Sequence, residues 1–215
     1  MKQHYKIEAA QWYCNIGAVQ FENRKWFPLV FYRNLFYTMS EKTATDKIHN
    51  DCVERIEYTL RQNTTVQLLI DSIESLGCKI PPNFFVCRNC DGNVSGGLAI
   101  SQSHKQLPPQ IVMCENAPME PETFANTLIH ELIHAYDVCR VQKFDMANCL
   151  HHACAEVRAS SLSGECNYLH EIGRGNFALP FGHKQCVERR AILSVSTNPS
   201  CQVSYMQLLI FSPIF

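Results

Sequence analysis

The run from Thr127 to Asp137, TLIHELIHAYD, constrains this chain more than any other segment. Leu128, Ile129, Leu132 and Ile133 spread apolar side chains almost all round a helix, so a helix here must be buried. A buried helix carrying two histidines and a glutamate is costly unless those groups are paired or ligated. His130 and His134 are four residues apart and lie one turn apart on the same face. That spacing presents two imidazole nitrogens to one ion, at about 2.0–2.1 Å each for zinc. Glu131 is rotated by about 100° from His130. It sits beside the ion, where it can take the proton of an attacking water. His130 and His134 are therefore the expected Zn2+ ligands and Glu131 the expected catalytic base.

A catalytic zinc usually takes three protein ligands and leaves one position open. Glu156 is the leading candidate for the third. It lies in HHACAEVRA, residues 151–159, on the next expected helix. There Cys149, His152, Ala153, Glu156 and Ser160 share a face, and the small residues at 153 and 160 allow close approach to the first helix. His152 and His151 are the alternatives. Asp137 lies about 10 Å along the axis from His130, too far to share its ion. It suits a supporting role, bonded to a ligand histidine or a neighbouring arginine. Tyr136, Tyr168, His170 and His183 are candidates for stabilising an oxyanion, with no motif to rank them.

A buried helix needs a core around it. The 215 residues are 46% hydrophobic and 18% charged, enough for one folded domain and hardly enough for two. The formal charge is −1 with no basic stripe, so nucleic acid is not an expected partner. No stretch reaches the roughly 20 apolar residues of a spanning helix. Trp26 to Met39 is broken by Arg33 and Asn34, and Tyr205 to Phe215 is short and contains Pro213. The N-terminus has no secretory h-region, and Glu8 and Glu22 suit a presequence poorly. Twelve dispersed cysteines favour disulfides in an oxidising compartment over reduced core thiols. Cys87 and Cys90 form a lone C-x-x-C, read as the ends of structural disulfides rather than half a zinc ribbon or a redox pair. Cys139 and Cys149 have the spacing of a stapled helical hairpin.

Helical spacing of Leu68, Leu69, Ile73 and Leu76 predicts helix over 41–76, ended by Gly77. Phe84 to Val86 and Ile111 to Met113 read as strands, with turn signals between them at Asp91-Gly92, Gly96-Gly97 and Pro108-Pro109. Residues 110–115 are either a plain core strand or an edge that takes up a peptide by strand addition. Pro121 opens a helix to about 140. Asp145 can cap a second, 146–162, closed by Gly164, and a third covers 183–196. The expected fold is α+β, a zincin-like metalloprotease domain with a small antiparallel sheet beside the zinc helix, stabilised by disulfides. Its expected span is 36–201, between an N-terminal extension, 1–35, and an apolar tail, 202–215.

Several segments taken together resemble one family. They are CRNCDGNVSGG (87–97), the run His130 to Asp137, CAEVRA (154–159), LSGEC (162–166) and CVERRA (186–191). The family is the mitochondrial inner-membrane metalloprotease that processes, and helps assemble, a proton-channel-sector subunit of ATP synthase. The resemblance covers about 36–201 and implies a peripheral protein on the intermembrane-space side, folded oxidatively. It implies His130 and His134 as ligands and Glu131 as base, and the ATP synthase subunit precursor as partner. It does not supply a third ligand. The chain departs from the family after Cys201, where an acidic helix with a further cysteine is expected. Two other readings are compatible with the resemblance: an assembly chaperone that does not cleave, and an adaptor for a DNA-end-joining protein.

Overall fold

The computed structural model describes residues 44–204, apart from 93, 101–108, 142 and 178–181. The expected N-terminal extension and nearly all of the expected C-terminal tail lie outside the described residues. Two helices open the described chain, α1 (Ala44–Gln62) and α2 (Thr64–Ser75). The sequence predicts one continuous helix here. Asn63 divides it, its side-chain oxygen accepting from the backbone N–H groups of Thr65 and Val66. An asparagine in this role satisfies the free donors of a new helix start.

Three short strands follow, β1 (Phe85–Arg88), β2 (Gly96–Ala99) and β3 (Gln110–Cys114). Their order is β1-β3-β2. β2 runs antiparallel to β3, but β1 runs parallel to it, so the sheet is mixed and not antiparallel as expected. The reason is where β3 inserts. The chain reverses between β1 and β2 and again before β3, so β3 shares β1's direction and lies between the two. Cys90–Cys114 fixes that arrangement, and Asn116 exchanges two hydrogen bonds with the Cys90 backbone. Because β3 is paired on both sides, it is a core strand. Ile111 and Met113 are fully buried, and residues 110–115 offer no free edge to a peptide.

Gly96-Gly97, a turn signal in the sequence, forms half of β2 instead. A Cβ on Gly96 would lie 3.0 Å from the Val112 carbonyl oxygen and 3.1 Å from Thr127 Cγ2. The missing side chain lets the sheet press against α3 (Pro121–Arg140), one turn before His130. Next come α4 (Cys149–Leu162), the short α5 (Tyr168–Gly173), α6 (Gly182–Thr197) and the 3-10 turn η1 (Pro199–Ser204). α5 has no counterpart among the expected elements. The main core gathers Ile56, Val66, Leu69, Ile73, Ile111, Met113, Leu128 and Leu132 from α1, α2, β3 and α3.

Disulfides tie these elements at their ends. Cys52–Cys87 joins α1 to β1, and Cys78–Cys139 joins the end of α2 to the end of α3. Cys149–Cys201 joins α4 to η1, and Cys166–Cys186 joins the loop after α4 to α6. The C-x-x-C cysteines belong to different bridges, as expected. Cys139 and Cys149 do not pair, because each sits opposite a more distant segment.

The contrast between the two glycines of β2 is measurable. Gly96→Ala should destabilise the domain by about 1–3 kcal/mol, since a backbone oxygen must give way. Gly97→Ala, with nothing within 4 Å of the new carbon, should leave the melting temperature close to wild type. Equal effects in thermal unfolding would contradict this packing of sheet on helix.

Candidate active site

α3 begins at Pro121, whose fixed φ suits a first helical position. Arg55 of α1 donates to the Met119 carbonyl just before it and lies over the Phe124 ring. Leu128, Ile129, Leu132 and Ile133 are all buried, as their distribution round the helix requires. Glu131, His134 and Asp137 are buried as well, and His130 is partly so.

α4 starts at Asn148, which caps it through Leu150 and His151. Asp145, the expected cap, instead accepts from Ala147 in the preceding turn. Ala155, Ala159 and Ser160 are fully covered, so the helix comes close to its neighbours on small side chains. Asp137 fastens α4 to α3. Its carboxylate, 0% exposed, accepts from Arg140 at 2.8 Å and from Arg158 of α4 at 3.0 Å. That is the arginine-bound role expected of Asp137, away from the histidines.

The helix pair brings His130, His134 and Glu156 into one cluster. The two Nε2 atoms are 3.0 Å apart, and the Glu156 oxygens lie 3.3 Å from each of them. Ligands bound tetrahedrally at about 2.0–2.1 Å stand roughly 3.3–3.4 Å from one another. Glu156 reaches His130 with one oxygen and His134 with the other, so donor atoms of the three residues lie within 4.8 Å of one another, close enough to share one metal ion, and the residues fit the group the motif implies. His152 lies behind Glu156, with Nε2 3.3 Å from its Oε1. His151 stacks on Phe144 and accepts from the Asp145 N–H, outside the cluster. None of Tyr136, Tyr168, His170 and His183 hydrogen-bonds to the cluster among the described residues. Tyr136 lies under Arg140, His170 pairs with Glu122, and Tyr168 and His183 are exposed.

Glu165 is the site residue that sequence reasoning passed over. Its Oε1 lies 3.0 Å from His130 Nδ1, and its other oxygen lies 2.7 Å from Arg190 of α6. A carboxylate on the far nitrogen of a ligand histidine fixes the ring and directs Nε2 inward. Gly164 makes the reach possible. It has φ +90°, and a Cβ there would meet Asn126 of α3 at 3.0 Å. Cys166 then anchors the loop to α6. The one sequence signal was LSGEC, which contains Glu165 but says nothing of what it faces.

The charges explain one another. Burial pushes the His130 imidazolium down, but its bonds to Glu156 and Glu165, with the charge of Glu131, win and raise it to about 10. Burial pushes Glu156 up, yet hydrogen bonds from His130, His134 and His152 hold it well below the usual carboxylate range. Glu165 is likewise opposed by burial and is held down at about 2 by His130 and Arg190. Burial dominates at Glu131 and pushes its carboxyl up, against the pull of His130 and His134. A small buried space thus carries three carboxylates beside two imidazoles, which favours a cation.

Glu165 titrates lower folded than its ordinary 4.5, so its stabilisation is complete above pH 4.5 and is lost as pH falls toward 2. In metal-free protein, Glu165→Gln should flatten the loss of melting temperature across that window. An acid limb identical to wild type would show that Glu165 is not held by His130 and Arg190.

The chain is similar to known proteins over most of its length. The Peptidase M76 family profile matches residues 50–210. The mitochondrial inner membrane protease ATP23 of Yarrowia lipolytica is 38% identical over 152 residues, covering 70% of this chain and 58% of that protein. The human protein named mitochondrial inner membrane protease ATP23 homolog is 39% identical over 161 residues, 74% of this chain and 59% of its own. The ATP23 protease of Saccharomyces cerevisiae strain Lalvin EC1118 is 39% identical over 159 residues, 70% of this chain and 66% of its own. The chain therefore spans about three fifths of the length of the first two relatives. No solved structure matches. The profile covers both helices of the cluster and the loop that braces it, and on that extent of likeness the chain belongs to the Peptidase M76 family.

Proposed function

We propose that this chain is a zinc-dependent endopeptidase of zincin type, and the convergence of His130, His134 and Glu156 beside Glu131 carries the reading. His130, His134 and Glu156 would hold the ion. A bound zinc polarises the scissile carbonyl and lowers the pKa of the attacking water. Glu131 takes the proton of that water and delivers it to the leaving amine. The burial that raises its carboxyl also makes it a stronger base at neutral pH. Glu165 keeps His130 from turning. Among the described residues β1 and β2 are the outer strands of the sheet, and β2 packs on α3 at Thr127.

The substrate proposed is the N-terminal segment of an ATP synthase proton-channel-sector subunit precursor, whose assembly the protein also assists. The place of action proposed is the intermembrane-space face of the mitochondrial inner membrane, held peripherally. The family likeness supports both. Five disulfides among the described residues fit an oxidising compartment. No described helix is long and apolar enough to cross a membrane.

Glu131→Gln should lower cleavage of the precursor by at least about 10²-fold, the usual worth of a positioned base. Bound zinc per chain should stay at the wild-type level. Cleavage at the wild-type rate in this variant would exclude Glu131 as the base. Normal subunit assembly without cleavage would assign the assembly role to the fold and not to the chemistry.

A further inference from the structure

His152 is buried on α4, one turn before Glu156, and Asn198 lies between α6 and η1. The Asn198 side chain can be oriented without ambiguity. Its Oδ1 accepts from the Ser200 N–H at 3.0 Å, and its Nδ2 lies 2.9 Å from the Met146 carbonyl oxygen, which can only accept. The same NH2 group lies 2.9 Å from His152 Nδ1. Its two hydrogens therefore go one to Met146 and one to His152. Nδ1 must offer a lone pair, so the proton of the neutral ring sits on Nε2. That nitrogen, 3.3 Å from Glu156 Oε1, donates to the carboxylate.

We infer that His152 is a positioning residue for Glu156, set in one tautomer by Asn198, and that the relay Asn198–His152–Glu156 holds the third ligand's carboxylate facing His130 and His134. The inference rests on the reading of Glu156 as a metal ligand. With Nδ1 accepting and Nε2 donating, His152 has no lone pair left for an ion, which separates it from the ligand role the sequence left open. Asn198 is seated by backbone hydrogen bonds on both sides, its N–H to Val195 and its carbonyl from Cys201. Cys201 is itself tied to the first residue of α4. The relay thus begins at a covalent anchor and ends at the metal site, as Glu165 does on the opposite side at His130. A buried donor of this kind strengthens a ligand by fixing its orientation and charge.

The test uses the full oxidised chain and zinc alone. Affinity is measured by competition with a chromophoric chelator for wild type, His152→Ala and His152→Gln. The number of imidazoles on zinc is counted by X-ray absorption. Glutamine places an N–H donor near the position of Nε2, so it should recover most of the affinity. Alanine should weaken zinc by about 10–100-fold, the usual cost of losing such support. The wild-type spectrum should fit two imidazoles. Three imidazoles, falling to two in His152→Ala, would make His152 a ligand and overturn the relay. So would unchanged affinity in His152→Ala. Equal weakening in both variants that tracks the melting temperature of the metal-free protein would reduce His152 to a packing residue. A folded wild type that takes up no zinc would instead overturn the metal reading beneath it.

Discussion

Asp137 accepts from two arginines in a position closed to solvent, and one of them comes from the neighbouring helix. Buried pairs of this kind add little net stability against a well-packed apolar substitute, but removing one partner costs about 3–5 kcal/mol. Their value is geometric. The contact fixes the axial offset between α3 and α4. Two histidines one turn apart define a short edge, and Glu156 of the facing helix lies against both of them. Arg158 lies two residues beyond Glu156, so a slip at Asp137 would carry Glu156 out of reach of the histidines.

Around that seam the protein places its ties outside the cluster rather than in it. The loop bearing Glu165 and the turn bearing Asn198 each end at a disulfide. Each tie holds a residue that in turn supports a candidate ligand. The arginine of α6 on Glu165 adds charge compensation from a third helix. A separate knot secures α5, where the fully buried Glu171 accepts from Arg174 and Arg189. The wall behind the site is therefore polar and cross-linked, and the wall toward the sheet is apolar and packed.

The legible parts of this fold were those with a local period. Pro121 and the apolar residues around His130 located α3 from Pro121 to Arg140, and helical spacing pointed to Glu156, which lies beside the two histidines. Glu165 was not legible, because its partner is set by a reversal at Gly164 and by a bridge to α6, neither of which has a period. Gly96-Gly97 was misread as a turn since absence of a side chain looks the same whether it frees the backbone or admits a neighbour. Strand order was out of reach for the same kind of reason. Nothing in Ile111 to Met113 says on how many sides it is paired, and β3's central place follows from the two reversals before it. The cysteine count pointed to bridges, while their partners depended on the finished packing.

The candidate ligands lie on one helical hairpin, and the two bridges that back it differ in reach: Cys166 and Cys186 are 20 positions apart in sequence, Cys149 and Cys201 are 52. Contacts of short range form early in folding, and long closures wait for chain diffusion and for oxidation. The brace at Glu165 is thus expected to close ahead of the support at Asn198. A chain that has closed Cys166–Cys186 but not Cys149–Cys201 can hold His130 through Glu165 before Asn198 is seated beside His152. Oxidation in that order sets the two sides of the cluster one after the other.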